Sequence, residues 1–204
     1  MSSLSAVATR VVAEVNDATN NTLSASITGT LLSEVQQYVV DGIQDYRHYV
    51  YREIFDQSLV TSANRRSYVV SALSPVPFII KRLEYVQSPS AVTNLTEVDL
   101  WNGTMYLYYN DTPLYTQANN YFNIYYYAQH DVPSAGSASL TVPSQDDGLL
   151  VDFAKTKVMQ KQALDQRGIN QDSSNEFLNM ASNFERRYKD GLRRAMTPFT
   201  SYLG

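Results

Sequence analysis

The chain has 204 residues, 44% of them hydrophobic and 18% charged, with a formal net charge of −4 and a pI near 5.1. That length suits one domain, or a helical core with a large insertion, and it supports a real core. The negative balance argues against broad nucleic-acid binding, and the lack of cysteine excludes disulfides, thiolate metal sites and a cysteine nucleophile.

The first ten residues have no basic n-region and no long apolar run, so they do not read as a secretory signal. No window reaches the roughly 18 apolar residues of a membrane span. The expectation is a soluble protein made in a cytoplasm, with no membrane partner.

Leu4, Val7, Ala8, Val11, Val12 and Val15 recur at helical spacing and predict a short helix over 4–15. Residues 16–26 are polar and read as a loop. Leu31, Leu32, Val35, Tyr38, Val39, Ile43, Tyr46, Tyr49 and Val50 form the stripe of a second helix, predicted to run to about Phe55. Thr28 or Thr30 is its expected cap, with Glu34 near the positive end of the helix.

The period then changes. Residues 67–70 are short and β-branched, and Pro75 and Pro77 punctuate the chain. Residues 78–86 alternate, with Ile79, Leu83 and Tyr85 expected on one face. Ser88-Pro89-Ser90 ends that strand. Asn102-Gly103 between two alternating runs predicts a hairpin, because both turn positions must accept positive φ. Asn110 to Pro113 is a further turn. Residues 120–128 form a tyrosine-loaded strand, with Tyr121, Asn123, Tyr125 and Tyr127 on one face and Phe122, Ile124, Tyr126 and Ala128 on the other. Both faces are aromatic, so both are expected to touch protein.

Residues 131–139 are rich in small residues and read as an exposed loop or arm. Ser144 with Asp147 predicts a capping-box-like start to a third helix carrying Leu149, Leu150, Phe153, Ala154 and Val158, with Gly168 as its stop. Ser173 with Glu176 predicts a capping box for the last helix. Its apolar stripe is Phe177, Met180, Ala181, Phe184, Tyr188, Leu192 and Ala195, and Pro198 ends it. The expected fold class is α+β: a bundle of about four helices with an inserted antiparallel β-region. The segments are 1–66, 67–141 and 142–204, within one compact domain.

Little here suggests catalysis. His48 and His130 belong to no metal-ligand spacing, and there is no G-x-S-x-G elbow, Walker loop or G-x-G-x-x-G. Asp146, Asp147 and Asp152 are most economically placed for helix-dipole reasons rather than for a cation. The Asn-x-Thr sequons at Asn20, Asn94, Asn102 and Asn110 are as frequent as chance gives in so Asn- and Thr-rich a chain. The expectation is no enzyme, no metal and no cofactor.

Two features point to surfaces instead. There are 16 tyrosines against one tryptophan, and tyrosine gives rigid contact area with a polar tip. The strand positions Tyr106, Tyr108, Tyr121, Tyr125 and Tyr127 are the candidates for a protein interface. The last helix carries Arg186, Arg187, Lys189, Arg193 and Arg194 off its apolar stripe. The bland account is a solvated face with pairs Glu185–Lys189 and Asp190–Arg194. The sharper one is docking onto an acidic partner or a nucleic-acid backbone. The tail adds Phe199, Tyr202 and Leu203, apolar for a terminus.

The layout resembles the head-to-tail adaptor (connector, or head-completion) proteins of tailed bacteriophages. The resemblance rests on the long helix ending near Arg52-Glu53-Ile54-Phe55, and on Tyr68-Val69-Val70 leading through Pro75 and Pro77 into 79–86. It rests also on the Tyr-x-x-x-Tyr-Tyr-Tyr-Ala strand at 121–128, the Val142-Pro143 to Asp147 helix entry, and the closing Phe184-Glu185-Arg186-Arg187-Tyr188 helix with Leu192. It covers most of residues 27–197, in pattern and order rather than in invariant signatures. The segment 91–104, with Trp101 and its hairpin, departs from it.

Such proteins form a ring, usually of about twelve copies, beneath the portal. The resemblance implies a structural protein of the virion neck, made in the host cytoplasm. Its partners would be itself, the portal protein and a downstream tail or nozzle protein, with DNA passing through the lumen without sequence specificity. It makes Arg186, Arg187, Lys189, Arg193, Arg194, Phe199 and Tyr202 portal-binding candidates. The tyrosine strands and the 131–139 loop would face neighbouring subunits or the tail. Rival expectations are another tail-completion or baseplate component, or a carbohydrate-binding module with aromatics on one open face. The flanking amphipathic helices argue against that last one.

Overall fold

The fold was read from a computed structural model, which describes residues 2–18, 30–88, 91–95, 97–134 and 136–196. It is α+β, with four α-helices and eight strands in antiparallel sheets among the described residues. The chain divides into two compact units, Met1–Val50 with His130–Met196, and Tyr51–Gln129. The β unit therefore begins before residue 67, and 130–141 return to the helical unit.

The helical unit contains α1 (Leu4–Ala18), α2 (Thr30–Tyr46), α3 (Asp147–Gln166) and α4 (Gln171–Ala195). Their apolar stripes converge on one core, in which Val11, Val39, Ile43, Leu150 and Met159 are fully buried. The expected extension of α2 to Phe55 does not occur. The Tyr46 carbonyl accepts from both Tyr49 N and Val50 N, which closes a turn. Residues 52–56 then form a strand, because the β-branched and aromatic Ile54 and Phe55 find partners on β8.

Two capping expectations are also corrected. A 3₁₀ turn, Ser144–Asp146, leads into α3 with no side-chain cap. Asp146 is instead bonded by the Tyr46 hydroxyl at 2.6 Å, and Asp147 by the Ser2 hydroxyl. At α4 the cap is Asn170, whose Oδ1 accepts from Asp172 N and Ser173 N at 3.1 and 3.2 Å. Gly168, at φ +93°, does end the α3 segment as the sequence suggests. The 131–139 segment is not a free arm. It is strapped to the start of α1 by Leu4 N to Ala138 O (3.2 Å), Ser5 N to Gly136 O (2.9 Å) and Leu140 N to Ser2 O (2.8 Å).

The β unit holds β1 (Arg52–Asp56), β2 (Ser67–Val69), β3 (Ile79–Ser88), β4 (Ala91–Leu95), β5 (Glu97–Trp101), β6 (Thr104–Tyr109), β7 (Thr112–Pro113) and β8 (Tyr121–Ala128). One sheet runs β1-β8-β3-β4 and the other β2-β6-β5, with β7 on β6. The Asn102-Gly103 hairpin forms as predicted, at φ 47° and 71°, and Asn110-Asp111 turns likewise at 50° and 59°. Both sheets contribute to one core built from Tyr68, Met105 and Leu107 on one side and Leu83, Phe122, Ile124 and Tyr126 on the other. The predicted face of β3 holds only in part. A register shift between Ile80 and Arg82 flips the parity, so Ile80 joins Leu83 and Tyr85 in the core and Ile79 does not.

Candidate interaction surfaces

On α4 the apolar stripe faces the core. Ala181, Tyr188 and Leu192 are buried, and Tyr188 donates its hydroxyl to Asp45 at 2.6 Å while meeting Phe153 edge-on at 5.1 Å. Arg186, Arg187, Lys189, Arg193 and Arg194 are all exposed. Their electrostatics differ one by one. Lys189 pairs with Glu185 at 2.5 Å, as expected. Asp190 pairs with Arg193 at 3.3 Å rather than with Arg194. Arg186 reaches only Asn183, at 3.4 Å. A shallow groove lined by Ser182, Glu185, Arg186, Lys189, Asp190 and Arg193 runs along this face. Phe199 and Tyr202 lie outside the described residues.

Arg187 has a different task. Its Nε lies 3.3 Å from Asp152 on α3, a carboxylate with only 9% of its side chain exposed. Asp152 also stands 3.8 Å from Lys155, itself 5% exposed, and Lys155 donates to Glu14 on α1 at 2.8 Å. The Phe184 ring lies beneath both cations, 4.1 Å from Lys155 Nζ and 5.9 Å from the Arg187 guanidinium carbon. This ionic chain, buried at Lys155 and Asp152 and open at Arg187 and Glu14, ties α1, α3 and α4 together. Sequence spacing gives no sign of it, since the residues come from three helices.

Burial pushes the Asp152 carboxyl above its ordinary 3.8, outweighing the pull of Arg187 and Lys155. Burial also works against the Glu14 carboxylate, but its bonds to Lys155 and Arg10 win and hold it below 4.5. For Asp152 the sign is fixed: a raised folded value means that its contribution is present below 3.8 and is lost as pH rises through the folded value. Asp152→Asn is therefore expected to gain stability relative to the native chain between about pH 4 and about pH 7. Denaturant unfolding at both ends of that range measures it. An unchanged difference between the two chains would remove the assignment.

The five tyrosines fall on two different outer sheet faces. Tyr121, Tyr125 and Tyr127 lie on the outer face of the β1-β8-β3-β4 sheet, while Phe122, Ile124, Tyr126 and Ala128 point into the core, as the alternation requires. That outer face is largely occupied by its own network. Phe55 lies 4.8 Å from Tyr125, whose other neighbour is Arg82 at 5.4 Å. Lys81 pairs with Glu53 at 2.8 Å and lies 5.6 Å from the Tyr127 ring. Glu84, 6% exposed, takes bonds from Arg82 and, at 2.7 Å, from Asn123, which in turn accepts from Gln57 at 2.8 Å. Tyr127 is buried, Tyr125 half-buried and Tyr121 exposed.

Tyr106 and Tyr108 lie on the outer face of the other sheet, half-buried. Register places Trp101, Asp99 and Glu97 of β5 beside them, and Val69 of β2 opposite Thr104. Trp101 is 75% exposed and Val69 58%. Trp101, Val69 and Phe55 are surface residues that composition alone does not single out. Trp101 was within reach, because the Asn-Gly hairpin fixes its partner as Thr104 and hence its face.

The histidines and aspartates take structural positions. His48 is exposed, while His130 is buried with its ring 5.3 Å from that of Tyr46. Burial and the Asp146 carboxylate push the Tyr46 phenol well above its ordinary range. No group of three or more His, Cys, Asp or Glu able to hold a metal occurs among the described residues. No helix among them is long and apolar enough to cross a membrane. No family model matches this chain, and the search of curated proteins gives no match.

Proposed function

We propose that this chain is a structural subunit of a phage head-to-tail connector, forming a ring of about twelve copies beneath the portal. The observation that carries the proposal is its division of labour. A helical unit presents one basic helix edge, and a separate β unit holds most of the large exposed apolar side chains, among them Phe55, Val60, Phe78 and Tyr121. That suits a subunit that meets different partners through different units. The order of elements along the chain supports the same reading.

In this account Arg186, Lys189, Arg193 and Arg194 meet the acidic portal surface, and Arg187 works from within by fixing α4 to α3. The β unit meets a neighbouring copy or the tail, DNA passes through the lumen, and the protein carries out no catalysis. A net charge of −4 fits a conduit to which the genome does not adhere.

Arg193→Glu with Arg194→Glu tests the portal assignment, since neither residue takes part in the ionic chain. Binding to a phage portal ring should weaken by about tenfold or more, with a steep salt dependence in the native chain. Equal binding by the variant and the native chain would overturn the assignment of this face.

A further inference from the structure

The two outer sheet faces of the β unit differ in one respect that bears on ligand binding. On the β1-β8-β3-β4 sheet the polar groups satisfy one another: Glu84 with Arg82 and Asn123, and Glu53 with Lys81. On the β2-β6-β5 sheet they do not. Among the described residues the side chains of Asp99, Trp101, Tyr106 and Tyr108 make no hydrogen bond or ion pair, and Glu97 uses only Oε2, toward Asp111 N at 3.0 Å.

The antiparallel register arranges these groups in a pattern. Tyr106 stands between Ser67 and Asp99, Tyr108 beside Glu97, and Trp101 beside Thr104. Aromatic side chains and oxygen acceptors are thus paired across the outer face of this sheet. Asp99 is exposed and Trp101 is 75% exposed. Such a face asks for a ligand with two properties together. It must offer flat C–H surface to the rings, and it must offer hydroxyl donors to carboxylates that can only accept at neutral pH.

We infer that the outer face of the β2-β6-β5 sheet binds a neutral glycan, with Trp101, Tyr106 and Tyr108 stacking on pyranose rings and Asp99 and Glu97 accepting from sugar hydroxyls. The carboxylates select against nucleic acid, phosphate and acidic sugars by repulsion. A protein hot spot calls for a dry, fully enclosed centre, whereas here every ring has an acidic or hydroxyl neighbour. The inference does not rest on the connector reading; it leaves the β unit's other exposed apolar side chains, Phe55 and Tyr121 among them, for a neighbouring copy or the tail.

Trp101 is the chain's only tryptophan, so its fluorescence reports this face alone. The full chain would be titrated with cellohexaose, chitohexaose and maltohexaose. At least one should give a saturable change in emission, with binding confirmed by calorimetry. In calorimetry Trp101→Ala should abolish that binding, and Tyr106→Ala should weaken it by about tenfold. Asp99→Asn should weaken it too, with the thermal midpoint unchanged. Silence with all three sugars overturns the inference. So does an emission change that follows protein concentration without sugar, which would make the face a contact between copies.

Discussion

Replacing Lys155 by alanine is expected to destabilise the helical unit by about 3 to 5 kcal/mol, the range for removing one partner of a buried ion pair. The side chain is 5% exposed and lies between Glu14 and Asp152, so its loss leaves Asp152 in a low-dielectric site with Arg187 as its remaining cation. The contact with Phe184 disappears as well. The double variant Lys155→Met with Asp152→Leu should recover much of that loss, because it removes both buried charges and keeps the volume. Urea unfolding followed by far-UV circular dichroism gives both numbers. Lys155→Ala at less than about 1 kcal/mol would place the pair in the class of solvated surface bridges.

Phe122→Ala is the second large effect, about 3 to 5 kcal/mol. Phe122 is fully buried near the start of β8, 5.1 Å from the Tyr68 ring and 5.6 Å from the Tyr85 ring. It joins side chains from both sheets, so the cavity left behind has rigid walls on each side. Amide exchange should report the loss in β2, β3 and β8 first. Tyr121→Ala, one residue away on the outer face, should cost under about 1 kcal/mol, and that contrast reads the strand parity directly.

Much of this architecture was legible in the sequence. The helical stripes, the Asn-Gly hairpin and the alternation of 121–128 are local signals, and each appears where it was expected. What failed was decided by distant partners. The α2 pattern continues past Tyr46 in the sequence, but Ile54 and Phe55 are claimed by β8, some seventy residues away. The β3 parity is broken by a register shift that its own sequence does not announce. The capping boxes lost to Asn170 at one helix, and at the other to bonds that Asp146 and Asp147 make with Tyr46 and Ser2.

The candidate surfaces divide in the same way. The basic edge of α4 is a local property and was readable, but the separate role of Arg187 depends on Asp152 in another helix. The tyrosines were chosen by type. Their surroundings set Tyr127, which is buried, apart from Tyr106 and Tyr108, which share an open face with Trp101.

The mass of the purified full chain, alone and mixed with a phage portal ring, tests the central claim most directly. The connector account predicts a discrete closed assembly near twelve times the 23.0 kDa chain, bound to the portal. A protein that stays at 23.0 kDa at every concentration, with and without the portal, would contradict it.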